Sequence, residues 1–142
     1  MQAIVQVPTR ALRMQASRFK TEFHRGGALQ QVVLRYIQCL LVHIAQDVAC
    51  NRLHRVEERL ARWLLTIHDR VESNELPLTQ EFIGQMLGTG RASITTAANE
   101  LQESGTISYR RGLIKILDRH RLEAASCECY ECVNTAFQKL LL

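Results

Sequence analysis

From Ala28 to Cys50 the sequence contains neither glycine nor proline, and Leu34, Ile37, Leu41, Ile44 and Val48 recur alternately three and four residues apart. That spacing predicts one continuous helix carrying a coiled-coil seam, because residues three and four apart share a helix face. Leu29, Val33, Tyr36 and Leu40 make a second apolar stripe on a different face. A helix with two dry sides needs two separate surfaces to cover it. We expect one of them to be a second copy of this chain, seated on Leu34, Ile37, Leu41, Ile44 and Val48. A central helix buried inside a monomer has the same periodicity, and fewer than three or four heptads leave both readings open.

With 142 residues, 46% of them hydrophobic and 23% charged, the chain can bury a core as one domain or two small ones. A net charge of +4 and an isoelectric point near 9.0 suit a polyanionic partner, but only the placement of the charges makes that specific. Arginine, glutamine, histidine and aspartate interrupt "VVLRYIQCLLVHIAQDVAC", so no run is expected to cross a bilayer. Five cysteines without a secretory signal do not suggest a disulfide framework, and the cytoplasm is the expected location. Arg10, Arg13, Arg18, Lys20 and Arg25 face only Glu22 in the first 25 residues. That is also the bias of an organelle transit peptide, although "AIVQVP" reads as a strand.

"AIVQV" and "ALRM" are read as short strands, followed by one or two helical turns from Ser17 to Arg25 that Gly26 and Gly27 close. After a polar break, "NRLHR", the stretch from Val56 to about Val71 predicts an amphipathic helix. Leu60, Trp63, Leu64 and Ile67 form its inner stripe, with Glu57, Glu58, Arg62 and Asp69 outside and Glu58 paired to Arg62. "ESNELP" is read as a loop.

The segment "QEFIGQMLGTGRASITTAANE" carries more information. Thr79 is placed to cap a helix from Gln80 to Leu87 whose inner face is Phe82, Ile83, Met86 and Leu87. Gly84 inside it costs about 1 kcal/mol relative to alanine, which implies that another backbone comes close. Gly88 ends the helix in the left-handed conformation, and Thr89 is expected to cap a second helix from Gly90 to about Glu103. Two short helices around a tight glycine turn predict a helix-turn-helix. Ile94, Ala97, Ala98 and Leu101 would be buried, leaving Arg91, Ala92, Thr95, Thr96 and Asn99 outward. An arginine opening such a helix suits bidentate pairing with guanine in a major groove.

"TISYRRGLIKIL" then reads as two strands around an Arg-Arg-Gly turn, with Ile107 and Tyr109 facing Ile114 and Ile116. A hairpin directly after a helix-turn-helix is a wing, and this one presents Arg110 and Arg111 at its tip, with Lys115 behind, to a phosphate backbone.

On these residues the chain resembles the Crp/Fnr family of bacterial transcription regulators. "GGALQQVVLRYIQCLLVHIAQDVACNRLH" is similar to the dimerisation helix, "VEERLARWLL" to the helix after the hinge, and "LPLTQEFIGQMLGTGRASITTAANELQESGTISYRRGLIKILDRHRLEAASCECY" to the DNA-binding domain. The resemblance implies a mainly α fold with a small β wing, a long dimerisation helix followed by a winged helix-turn-helix. Well-studied members read bases through an arginine, the glutamate after it and an arginine four residues further on; here Arg91 matches the first, and Ala92 and Thr96 stand at the others. The resemblance also implies that most of the effector-binding β-roll is missing, so no cyclic nucleotide is expected, and that the uncovered stripe favours tight or swapped oligomers.

The expected organisation is a β-roll remnant with a basic helix over 1–27, the dimerisation helix over 28–53, the winged domain over 54–126 and a cysteine-containing helical tail over 127–142. The expected function is sequence-specific binding of double-stranded DNA as a homodimer, with RNA polymerase as a further partner and no membrane. Arg91, Ser93, Thr95 and Thr96 are the candidate base contacts, and Thr79, Gln80, Arg110, Arg111 and Lys115 the candidate phosphate contacts. One alternative is a protein-interaction module that has lost its sensor and regulated DNA binding. Another is a thiol or metal sensor using Cys127, Cys129 and Cys132, closed by Cys50, Cys39 or His120. A structural zinc site normally repeats C-x-x-C twice, which is absent, so no metal and no cofactor are expected. The histidines form no H-x-x-x-H pair and are expected at surface or capping positions, and neither a phosphate loop nor a nucleophile signature suggests an enzyme.

Overall fold

Thirteen residues after a capping turn bury one face almost completely, and the rest of the winged domain gathers on that helix. The structure is a computed structural model that describes residues 5, 10–71 and 73–141. Among these residues the elements run α1 (Ala16–His24), α2 (Ala28–Leu53), α3 (Val56–His68), β1 (Glu75–Pro77), α4 (Gln80–Leu87), α5 (Arg91–Glu103), β2 (Ile107–Arg110), β3 (Leu113–Ile116), α6 (Arg119–Ala125) and α7 (Cys129–Leu141). The fold is mainly α with a small β wing, as expected.

Helix α3 is the centre of the core. Leu60, Trp63, Leu64 and Ile67 are buried as the periodicity predicts, together with Leu65, and they pack with Ile83, Ile94, Leu101, Ile114 and Leu122. Two charges go inward with them. Arg62 is not on the outer face: it is buried and its Nη2 donates to Asp47 Oδ1 at 2.6 Å, tying α3 to α2. Glu58, its expected partner, instead accepts from the backbone N–H of Arg55 at 2.8 Å and caps the helix start. A carboxylate on another helix wins because it compensates a guanidinium already out of water, whereas an exposed pair four residues apart gains little. Arg59 is buried as well and donates to the carbonyl of Leu87 at the end of α4.

The stretch read as a loop contains strand β1, which pairs antiparallel with β3 in the register Glu75↔Lys115, Leu76↔Ile114, Pro77↔Leu113. The sheet order is β1-β3-β2, so Pro77 sits on an edge strand, where its missing N–H is tolerated. Between β2 and β3 the register Ile107↔Ile116 and Tyr109↔Ile114 is the one anticipated from the alternation of the hairpin.

Helix α1 spans nine residues, and Phe19 stacks on Phe23 at 6.1 Å. "ALRM" is not a strand: residues 11–15 have no regular structure, and Leu12 and Met14 are exposed, with no strand beside them among the described residues. Of "AIVQV", all but Val5 lie outside the described residues, and Val5 has no regular structure.

Helix α2 runs three residues beyond Cys50, so the polar break falls at His54 and Arg55 rather than across "NRLHR". Contrary to the expectation from its interrupting polar residues, α2 is long and apolar enough to cross a bilayer by length and composition, an 18-residue window of it reaching a mean hydropathy of 1.3. Isolated polar residues lower such an average less than they break a run. A third face of α2, which neither apolar stripe indicated, carries the antiparallel helix α7. Cys39 Sγ lies 3.8 Å from the carbonyl of Ala136, Gln46 reaches Cys129, and His43 meets Phe137 edge-on at 6.3 Å. Leu34, Ile37, Leu41, Ile44 and Val48 stay exposed, Leu41 at 62% and Val48 at 66%. Of the second stripe, Tyr36 and Leu40 are exposed while Leu29 and Val33 are half-buried.

Candidate nucleic-acid interface

The turn between α4 and α5 sets the geometry of this surface. Thr79 Oγ1 accepts from the N–H of Phe82 at 3.2 Å and starts α4 as a side-chain cap. Gly88 ends α4 at φ 60, a left-handed conformation that favours glycine. The N–H of Thr89 then returns to the carbonyl of Gly84 at 3.0 Å. A Cβ on Gly84 would stand 2.9 Å from the Thr89 carbonyl oxygen, which explains the glycine inside a helix. The cap of α5 is Gly90, not Thr89, because the Thr89 backbone is already engaged in closing the turn. Arg91 is therefore the first residue of α5.

Ile94, Ala97, Ala98 and Leu101 are the buried residues of α5, leaving Arg91, Ser93 and Thr96 exposed and Thr95 half-buried. Gln80 joins the two helices: its Oε1 accepts from Arg91 Nε at 3.3 Å and from Thr95 Oγ1 at 3.2 Å. Gln80, expected at a phosphate, thus orients a base-contact candidate. The single Thr95 hydroxyl proton is shared between Gln80 Oε1 and the carbonyl of Arg91, 3.0 Å away, while Thr96 donates to the carbonyl of Ala92 at 3.2 Å.

The wing is held against α5 by Gln102, whose Oε1 accepts from the backbone N–H of Tyr109 at 2.6 Å. Burial raises the Tyr109 phenol above its ordinary range, with Arg91 pulling the other way, so the phenol stays protonated. The two-residue turn uses Arg111 at φ 51 and Gly112 at φ 78, the paired left-handed geometry of tight hairpins. An arginine in that conformation is strained, and it stands exposed at the tip of the wing. Thr79, Gln80, Arg91, Asn99, Tyr109 and Arg111 line one cleft of about 490 Å³. The structure thus brings Arg91 together with Thr79, Gln80 and Arg111. Arg110 is exposed at the end of β2, and Lys115 sits back along β3, where its Nζ lies 3.2 Å from Glu75 Oε1. Asn99 and Gln102 were not among the site residues expected, although the outward face of the predicted helix already contained Asn99.

A second cluster lies at the other end of the chain. The sulfurs of Cys50, Cys127 and Cys129 and a ring nitrogen of His54 all lie within 4.8 Å of one another. Cys50 and Cys127 are 3.5 Å apart, and burial first, then the neighbouring Cys50, pushes the Cys127 thiol up to about 12. Cys132 is exposed, Cys39 turns to Ala136, and His120 pairs with Glu123, so none of these three joins the cluster. His54 is therefore more than a surface or capping residue; its place four residues after Cys50, at a helix end, is the signal that marks it.

Residues 58–125 match the Crp-like helix-turn-helix domain. Among solved structures, the chain is similar to a transcriptional regulator of the Crp/Fnr family from Eubacterium rectale, at 28% identity and a TM-score of 0.57, over 78% of this chain and 51% of that one. It is similar in fold to FixK2 from Bradyrhizobium japonicum, at 18% identity and a TM-score of 0.69, over 78% and 58% of the two chains. A CRP-family transcriptional regulator from Thermus thermophilus shares the fold at 20% identity and a TM-score of 0.53, over 66% and 49%. The chain spans about half the length of these structures. No curated protein matches the sequence.

Proposed function

We propose that this chain, whose residues 58–125 are a Crp-like helix-turn-helix domain within a Crp/Fnr-type fold, is a cytoplasmic transcription regulator that binds duplex DNA as a homodimer. Helix α5 enters the major groove from its N-terminus. Arg91, Ser93, Thr95 and Thr96 contact base edges, and Arg91 pairs with a guanine through two parallel hydrogen bonds. Thr79, Gln80, Arg110 and Arg111 meet the phosphates on either side, with Lys115 further back. The observation that carries this reading is the shared cleft: Arg91 at the start of α5 and Arg111 at the wing tip face one concave surface.

The exposed seam Leu34, Ile37, Leu41, Ile44 and Val48 supplies the contact between subunits. A second copy there places two recognition helices about 34–36 Å apart, one turn of DNA. RNA polymerase is a further partner on this reading. Selection from a random duplex pool, run with the wild type and with Arg91→Ala, tests the proposal. We expect a two-fold symmetric motif that relaxes at one base pair in the variant. Uniform binding across sequences would defeat the specific-regulator reading and favour an association module built on α2.

A further inference from the structure

The cluster at the end of α2 has the donor set of a closed metal site. Two ligands come from α2, Cys50 in its last turn and His54 at its cap; the other two are Cys127, between α6 and α7, and Cys129, the first residue of α7. We propose that Cys50, His54, Cys127 and Cys129 hold one tetrahedral zinc ion.

Zinc–sulfur bonds of about 2.3 Å and zinc–nitrogen bonds of about 2.0–2.1 Å put the edges of a tetrahedron at roughly 3.5–3.8 Å. Cys50 Sγ and Cys127 Sγ are 3.5 Å apart, and so are Cys129 Sγ and His54 Nδ1. Both separations match tetrahedron edges, and all four ligand atoms lie within 4.8 Å of one another, so a small closing movement would bring them onto one ion. An iron–sulfur cluster spreads its four ligands over at least two irons, so ligands on different irons stand further apart than the 4.8 Å that contains all four atoms here. Three sulfurs and one imidazole nitrogen also favour zinc over oxygen-seeking cations, and four protein ligands leave no open position for catalysis.

Groups around the cluster point the same way. His54 Nε2 lies 3.2 Å from Glu128 Oε1, so the carboxylate takes that N–H and leaves Nδ1 as the free lone pair facing Cys129. This carboxylate–histidine pairing is how metal-ligating imidazoles are oriented. Gln46 Nε2 lies 3.0 Å from Cys129 Sγ, a donor that stabilises a thiolate. Three thiolates around a divalent ion leave one negative charge, and the buried Arg62 guanidinium acts electrostatically on both Cys50 and Cys127. Buried cysteines also serve as small apolar residues. Apolar packing, however, does not call for an amide and an imidazole aimed at the sulfurs.

The ion would join the end of α2 to the Cys127–Cys129 segment and so fix the angle at which the winged domain leaves the long helix. Its role is structural, in the hinge, and does not depend on the DNA reading.

The full chain, purified under reductant without oxygen, is analysed for metal and titrated with cobalt(II) alone. We expect one zinc per chain as isolated. Cobalt should produce intense visible bands of tetrahedral coordination and a thiolate charge-transfer band, both removed by added zinc. Cys129→Ser should weaken cobalt binding more than about 100-fold, while Cys132→Ser and Cys39→Ser behave as wild type. His54→Cys keeps four ligands and should raise the charge-transfer intensity from three thiolates to four, which decides the matter even if Cys129→Ser does not fold. Absence of stoichiometric binding, binding unaffected by Cys129→Ser and by His54→Cys, or recovery of iron with sulfide would overturn the proposal.

Discussion

Gly84 and Thr89 lock the helix-turn-helix: a Cβ on Gly84 would stand 2.9 Å from the Thr89 carbonyl oxygen, and the Thr89 N–H bonds back to the Gly84 carbonyl at 3.0 Å. The neighbouring atom is backbone, so it can retreat only by opening the turn. Gly84→Ala gains about 1 kcal/mol of helix propensity but incurs overpacking of roughly 1–3 kcal/mol. We expect a net loss of stability in urea denaturation and a larger loss of DNA affinity, because α5 is re-aimed. An unchanged urea midpoint together with unchanged affinity would contradict the close approach.

Gln80 holds Arg91 through a single oxygen, with Thr95 on the same atom. Gln80→Ala removes no charge. It should relax specificity at the base pair that Arg91→Ala relaxes, with a smaller cost, while leaving the salt slope of binding almost unchanged. If the two variants affect different base pairs, Gln80 does not position Arg91.

Arg111 combines strain with function. Its φ of 51 is better suited to asparagine, so Arg111→Asn should stabilise the fold by several tenths of a kcal/mol to about 1 kcal/mol. The same change removes a phosphate contact. Affinity should fall about equally across sequences, and the slope of log affinity against log salt should decrease by about one. Parallel thermal unfolding and salt titrations measure both, and loss of specificity at one base pair would instead make Arg111 a base reader.

The seam of α2 exposes Leu41 and Ile44. Leu41→Arg with Ile44→Arg adds charges that face like charges across a two-fold contact. Sedimentation velocity should show a monomer that binds a half-site but loses the advantage of the full two-fold site. A variant that remains dimeric would place the interface elsewhere, with the stripe of Tyr36 and Leu40 as the next candidate.

His43 titrates below its ordinary value because burial disfavours the imidazolium; Asp47 opposes this, and Arg62 and Arg70 reinforce it. The unfolded chain therefore takes up this proton first as pH falls. The stability from neutral His43 is present above about pH 6.5 and lost progressively as pH drops through its lower folded value. His43→Phe should flatten that part of the stability profile between about pH 7 and pH 5. An unaltered profile would assign the acid loss to other groups.

What the sequence determined by itself is what depends on neighbours along the chain. The buried face Ile94, Ala97, Ala98 and Leu101, the Thr79 cap, the left-handed Gly88 and the pairing of Tyr109 with Ile114 follow from helix period, capping chemistry and strand alternation. All of these act within a few residues. Arg91 and Arg111 could be picked out for the same reason, since each stands at a local landmark, a helix start and a hairpin tip.

The tertiary structure decided the rest, because it concerns partners distant in the chain. β1 is a strand only because β3 runs beside it, and Arg62 is buried only because Asp47 on another helix compensates its charge. Cys50 meets Cys127 across 77 positions, and His54 becomes a candidate ligand only when α7 folds back along α2. A periodicity states which face is apolar; what covers that face, or which charge follows it inside, is settled where two elements meet.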